Sequence, residues 1–330
     1  MVFNIKKYFM IFSFSIFCLL FFSVQVDATP TVSGVSATYD DNLTSSYTLG
    51  GTADRAIIDW KLGDSSFSLV NLPFEGGSNS TWTKDYSSYS NNATVVGDAT
   101  YGSTTGYDGN GSYYFDGGGN QESVRVTGLT IPQNYSVSFW ANRQASSGLH
   151  PYFSFSKTVL LKVSSSNIYW GGMYLCHSPS NSEWHHFTLV VENGAASQAV
   201  LYVDGELCGT GANYLTPTAN LYLGSITTLV NDNWNGYIDD FKIFGRPLSQ
   251  EQIQSIFQDG FETIVSEELV DDEEWTLEVT PNNGTVDGLS VESSSVTIGD
   301  APTPEFSDYA MILLLMTTVG GFIYFRKQDD

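Results

Sequence analysis

The chain is short of positive charge. Its 330 residues hold 13 Lys and Arg against 36 Asp and Glu, for a formal net charge of −23, and only four His. That balance excludes the basic footprint that nucleic acid or an anionic lipid surface requires. It fits a solvated external surface, cation binding or a saline setting, and does not choose among them. Cysteine is nearly absent too. Of three, Cys18 sits in an amino-terminal apolar run, which leaves Cys176 and Cys208. No Cys-X-X-Cys and no zinc-type spacing occurs, so dithiol redox and zinc chemistry lack a sequence basis. Gly-X-Ser-X-Gly, His-Glu-X-X-His and glycine-rich phosphate loops are also missing, which argues against the enzymes those motifs mark.

What is present begins at the ends. Lys6-Lys7 precede an apolar run over 8–22, and Val26-Asp27-Ala28 is a small-residue cleavage site. Residues 1–28 read as a secretory signal peptide, the alternative being a retained anchor for which the run is short. Residues 309–325 are apolar and uncharged and are followed by Arg326-Lys327. They predict one carboxy-terminal transmembrane helix, with 326–330 a cytoplasmic tail and the rest outside. The triplet Pro304-Glu305-Phe306 in the linker 301–308, with that span and tail, resembles the sorting signal that an archaeosortase or exosortase removes. A cleaved signal and a simple single-pass anchor both remain open. In an exported chain Cys176 and Cys208 are expected to form one disulfide. Asn42, Asn79, Asn92, Asn110, Asn134 and Asn283 each open an Asn-X-Ser/Thr sequon, as suits an exported glycoprotein.

The centre of the chain is 184–205. Trp184-His185-His186-Phe187-Thr188-Leu189-Val190-Val191-Glu192 leads to Asn193-Gly194, and Ala199-Val200-Leu201-Tyr202-Val203 leads to Asp204-Gly205. Two β-rich runs closed by turn dipeptides predict an antiparallel hairpin. Phe187, Leu189 and Val191 form an apolar face. His186, Thr188, Val190 and Glu192 form a mixed one, expected nearer solvent. With Tyr114-Phe115-Asp116-Gly117 upstream and Gly236-Tyr237-Ile238-Asp239-Asp240-Phe241 downstream, this stretch is similar to the LamG-like (concanavalin A-like) domain. The resemblance implies an all-β, antiparallel jelly-roll sandwich over 69–261. Many short runs at regular spacing fit it. One helix is predicted: Ser249 with Gln252 as a capping box, an Ile253, Ile256, Phe257 stripe, and Gly260 at the end.

Strands are predicted over 31–38, 42–49 and 56–61, and again around Trp275, Leu277 and Val279. Three opening strands cannot bury a sandwich core alone. Residues 29–68 and 262–300 therefore read as two halves of one immunoglobulin-like sandwich into which the jelly roll is inserted, without the inter-sheet disulfide. The alternative is two unrelated β-rich linkers. Residues 267–274 hold six acids and are expected to be an exposed loop.

Asp239 shares strand parity with Tyr237, Phe241 and Ile243, so alternation points a carboxylate at an apolar side. The resemblance implies a structural calcium there, held by Glu75, Asp85, Asn91 and Asp239, an oxygen set that suits this ion. One of His185 and His186 is expected to be a core histidine, and Asp204 a turn residue. The laminarinase-type Glu-X-Asp-X-X-Glu motif is absent, so no catalytic residues are assigned and an enzyme is not expected. Trp140, Trp170 and Trp234 are candidates for exposed sugar-stacking rings. The expected function is non-catalytic recognition of glycan or a neighbouring protein at the cell surface. A structural envelope component and, third, a glycan hydrolase are the alternatives.

Overall fold

The computed structural model describes residues 29–118, 122–144, 148–193, 198–212, 217–226 and 233–299. The expected signal peptide (1–28), the triplet Pro304-Glu305-Phe306, the span 309–325 and the tail 326–330 lie outside the described residues. No helix among the described residues is long and apolar enough to cross a membrane.

Two antiparallel sheets make the jelly roll. One, here the open sheet, runs in the order Met173–His177, Asn167–Trp170, Leu160–Val163, His150–Ser154, Asn220–Leu223, Ser123–Thr127, Ala93–Val96, Trp82–Thr83. The other, here the covered sheet, runs Glu206–Gly211, Gln198–Val203, Trp184–Glu192, Tyr135–Arg143, Asn235–Phe244, Ser112–Asp116, Thr100–Gly102. Ser68–Leu72 also pairs with Asn235–Phe244. Trp184–Glu192 and Gln198–Val203 pair as the predicted hairpin, and Asp204 and Gly205 turn the second strand into Glu206–Gly211 with positive φ at both positions (53° and 79°), which is what a tight two-residue turn requires. The core between the sheets is rich in aromatic rings. Phe139 of the covered sheet meets Phe153 of the open sheet edge-on at 5.8 Å, and Trp170 and Trp234 are fully buried. Cys176 and Cys208 are bonded, joining the outermost strand of one sheet to that of the other.

The flanking segments pair with each other. Arg55–Leu62 lies antiparallel to Glu274–Asn282, in register from Trp275↔Leu62 to Asn282↔Arg55. Asn42–Gly51 takes Thr263–Ile264 on one side and Pro30–Asp40 on the other. A second core follows, containing Leu43, Trp60, Trp275, Leu277 and Val279. Trp60 Nε1 donates to Phe261 O at 2.9 Å. The helix Gln250–Asp259 packs Ile253 and Ile256 into this core. Its Ser249 cap accepts from Gln252 N, but the Gln252 side chain does not close the box. It donates to Thr263 O and accepts from Val265 N instead. In the acidic segment Glu268 is buried, because its carboxylate accepts from Ser249 N.

The mixed face of the central hairpin is not near solvent. His186, Thr188 and Val190 are 1%, 0% and 5% exposed. Val190 and Phe244 of the covered sheet belong to the second core, with the helix and the flanking sandwich on top. Both faces of its central strands are therefore buried, and Ser136 and Ser138 on the outer face find partners there, whereas Thr188 Oγ1 and His186 Nδ1 have none. Ser138 Oγ lies 2.8 Å from His186 Nε2, while Ser136 Oγ donates to Arg246 O and accepts from Leu248 N.

Trp60 fills the second core and donates a hydrogen bond between segments distant in sequence. Trp60→Ala is expected to cost about 3–5 kcal/mol, read from chemical denaturation. A loss below about 1 kcal/mol would mean that the flanking halves do not depend on each other.

Candidate functional site

Asp239 sits at a β-bulge. Opposite it, Trp140 pairs with Asp239 and Ser138 with Lys242, so the strand Asn235–Phe244 holds one extra residue, and Asp240 takes φ 46°. The bulge breaks the parity on which the sequence expectation rested. Ile238, Phe241 and Ile243 face the jelly-roll core, whereas Asp239 lies beside Trp140 on the outer side. There it is 1% exposed, with Oδ1 accepting from Asp240 N at 2.7 Å and Oδ2 from Tyr107 N at 3.1 Å. The Tyr107 ring stacks on Trp140 at 4.1 Å.

A cleft of about 400 Å³ opens where the jelly roll, the end of the helix and the flanking sandwich meet. Glu75, Asp108, Asp239, Asp240, Asp259 and Glu262 line it, with Arg55 and Lys242 the cations among its lining residues. Arg55 pairs with Glu75, and Lys242 with Asp240. Burial, and then the charges of Asp240, Asp108 and Glu75, hold the Asp239 carboxyl well above the ordinary carboxylate range. Burial also pushes Glu75 up to about 7, against the opposing Arg55 bond and charge.

The four expected calcium ligands do not form one shell. Asp85 accepts from Asn71 N, Ser87 N and Oγ, and Asn91 N, and Asn91 donates to Leu69 O. These two hold a loop on its own hydrogen bonds, and the cleft lining includes neither. Glu75 and Asp239 share the cleft. Asp108 and Asp240, which the sequence reading did not assign, stand with them. Among the described residues no three His, Cys, Asp or Glu side chains converge to hold a metal ion.

The expected stacking tryptophans are buried: Trp140, Trp170 and Trp234 are 9%, 0% and 0% exposed. The exposed one is Trp82, at 40%. It starts a cross-strand row on the outer face of the open sheet, in register through Thr94, Arg125 and Tyr222, which ends where the next residue, Ser154, is covered and donates to Ser225 O. Arg125 lies over the Tyr222 ring at 4.8 Å. Lys162, Tyr169 and Tyr174 form a neighbouring row. Strand alternation around Trp82 is the signal that could have found it. Its two-residue strand is too short to show that. Of the sequon asparagines, Asn79, Asn92 and Asn134 are exposed, and Asn42, Asn110 and Asn283 half-buried. The Asn79 side chain closes its own turn by accepting from Thr81 N. His186 is the core histidine, and burial lowers it to about 4.

Residues 116–254 match the model of the concanavalin A-like lectin/glucanases superfamily. This part of the chain is a concanavalin A-like jelly roll. Among curated proteins none matches the chain. Similar solved structures include domain 4 of AbnA, a GH43 extracellular arabinanase from Geobacillus stearothermophilus, in complex with arabinotriose. It is 18% identical, with a TM-score of 0.45 over 61% of this chain and 100% of that one. The botulinum neurotoxin type G receptor-binding domain is 17% identical, with a TM-score of 0.42 over 58% and 51%. The binding domain of Paraclostridial Mosquitocidal Protein 1 is 18% identical, with a TM-score of 0.44 over 57% and 52%. The chain thus spans about half the length of these toxin domains. At such identities the likeness is one of fold.

Folded, Asp239 and Glu75 hold protons more tightly than in the unfolded chain. The native state then binds more protons between pH 4.5 and about 7, and stability falls as pH rises through that window. Asp239→Asn removes one of the two groups. It is expected to raise the melting temperature at about pH 7.5 and to flatten the fall. A variant no more stable than wild type there, in thermal scans at stepped pH, would show that Asp239 carries no uncompensated charge.

Proposed function

We propose that the protein is an exported recognition module that binds glycan on the outer face of its open sheet. The observation that carries this is the row Trp82, Thr94, Arg125 and Tyr222. At about 4.8 Å per strand the row covers about 14 Å. Aromatic rings offer flat apolar faces to sugar C–H surfaces, while the hydroxyls and the guanidinium meet sugar hydroxyls and acidic substituents. No carboxylate pair stands in the row, so this face holds a glycan without the two acids that cleaving a glycosidic bond needs. The disulfide supports an oxidising, external location. Attachment through 309–325 belongs to the same proposal. So does a structural calcium at the Asp239 end of the cleft, where carboxylate oxygens suit the ion and Asp239 would gain a positive partner.

A glycan array probed with the whole ectodomain, in calcium and again in chelator, tests the reading. Binding is expected to fall at least about tenfold in Trp82→Ala, or about 1.4 kcal/mol, and to fall most for acidic glycans in Arg125→Ala. Loss of binding and of thermal stability in chelator would support the calcium site. Silence from folded protein in both conditions would turn the assignment toward a protein partner or ordered self-assembly.

A further inference from the structure

At the end of the jelly roll where the central hairpin starts, three residues from separate segments come together. His185 Nδ1 lies 2.7 Å from Asp204 Oδ2, and His185 Nε2 lies 3.0 Å from Ser180 Oγ. Asp204 occupies the tight turn after Gln198–Val203, and its other oxygen accepts from His186 N at 2.9 Å, which fixes the carboxylate. Burial acts to raise its pKa, but the hydrogen bonds from His185 and His186 outweigh that and hold it below the usual range. An ionised Asp204 keeps the proton of a neutral imidazole on Nδ1. Nε2 is then an acceptor facing a hydroxyl, the tautomer that a general base needs.

The surroundings add two elements. A void of about 10 Å³, room for one water, is lined by Ser180, His185, Arg143, Tyr152 and Trp234 among others. Arg143 is 4% exposed and donates to Ser164 O through Nη1, but its Nε and Nη2 have no partner. The disulfide clamps the two segments that bear the outer members: Ser180 follows Cys176 closely, and Asp204 closely precedes Cys208. One contact competes. Ser180 Oγ also donates to Glu183, whose side chain is 68% exposed. The hydroxyl has one proton, so Glu183 must give it up before His185 can take it.

We infer that Ser180, His185 and Asp204 form a nucleophilic triad that hydrolyses small carboxylic esters, such as acetyl groups carried on a larger glycan. Ser180 Oγ attacks the acyl carbon as its proton passes to His185 Nε2. The C–O bond of the ester breaks, and the departing alcohol takes that proton. Water, deprotonated by Nε2, then attacks the acyl-serine. The carboxylic acid leaves and Ser180 regains its proton. The unpartnered N–H groups of Arg143 are the donors available to the oxyanion. The void itself holds only one water, so the acyl group has to sit at its mouth, and the alcohol side stays outside because Ser180 is in an exposed loop. Asp204 is a positioning residue. This activity is separate from the open face and does not rest on glycan binding there.

The test is reaction of the whole protein with a fluorophosphonate, in which Ser180 Oγ bonds to phosphorus and fluoride leaves, together with p-nitrophenyl acetate hydrolysis. Peptide mapping is expected to find the label on Ser180. Ser180→Ala should lose it with an unchanged melting temperature. Asp204→Asn, which the turn tolerates, should slow labelling at least about tenfold by releasing the tautomer. Glu183→Ala should speed it severalfold. Absence of label on Ser180 in both wild type and Glu183→Ala, each folded, overturns the proposal. So does a labelling rate that Asp204→Asn leaves unchanged in a folded variant. Neither probe contains a sugar, so these outcomes are independent of the glycan array.

Discussion

The central strands of the covered sheet have no solvent face, and most of the molecule's architecture follows from that. One side carries the aromatic core of the jelly roll. The other presents Ser136, Ser138, His186 and Thr188 between apolar neighbours, and such a surface is stable only when most of its polar atoms are met as it is dried, Thr188 Oγ1 being left without a partner. Ser136 does this by holding the backbone on either side of Pro247. The helix that follows lays Phe257 against Trp140 and His186. The flanking sandwich closes the rest with Phe67 on Phe244 and Trp275. Two sandwiches of different origin in the chain thus share one buried surface.

The acidic cleft is where that closure stops. Its walls come from three elements, so the carboxylates meeting there are crowded by the fold and by no single stretch of sequence. Arg55 and Lys242 neutralise two of them, and Asp239 is left with backbone N–H donors alone. The open sheet faces the opposite way in charge as well as in space. In a chain of net charge −23, Arg125 and Lys162 stand among tyrosines on the side away from the acids. A negative body with a small basic, aromatic face discriminates among ligands by repulsion as well as attraction.

Much of the fold was legible in the sequence because it rests on local signals. The parity of Trp275, Leu277 and Val279 and the lone Trp60 marked strands that needed distant partners. Ser249 and Gly260 bounded the helix, and Asp204-Gly205 gave the hairpin turn. The site was less legible. A bulge of one residue at Asp239–Asp240 moves a side chain to the other face, and no alternation pattern announces it. Glu75 and Asp239, expected together as calcium ligands, both line the cleft. Asp85 and Asn91 were grouped with them by the family resemblance, although their side chains are taken up by hydrogen bonds of their own loop and the adjoining strand. His185 and Asp204 read singly as strand and turn residues, and Ser180 carried no signal of its own. Their mutual geometry depends on strand register and on a disulfide, which sequence-local nucleophile motifs do not sample.

The ladder between Arg55–Leu62 and Glu274–Asn282 also decides how the molecule carries load. The first and last described strands both belong to the small sandwich, and the jelly roll hangs from it as an insertion. Tension applied across the two ends passes through that ladder, whose hydrogen bonds bridge segments more than two hundred residues apart; Ser45 and Glu262 in the same sandwich are separated by 217. While the ladder holds, the inserted domain bears no force. Shear or stretching would be met first by the small sandwich, and the face and loops of the jelly roll would keep their shape until it gave way.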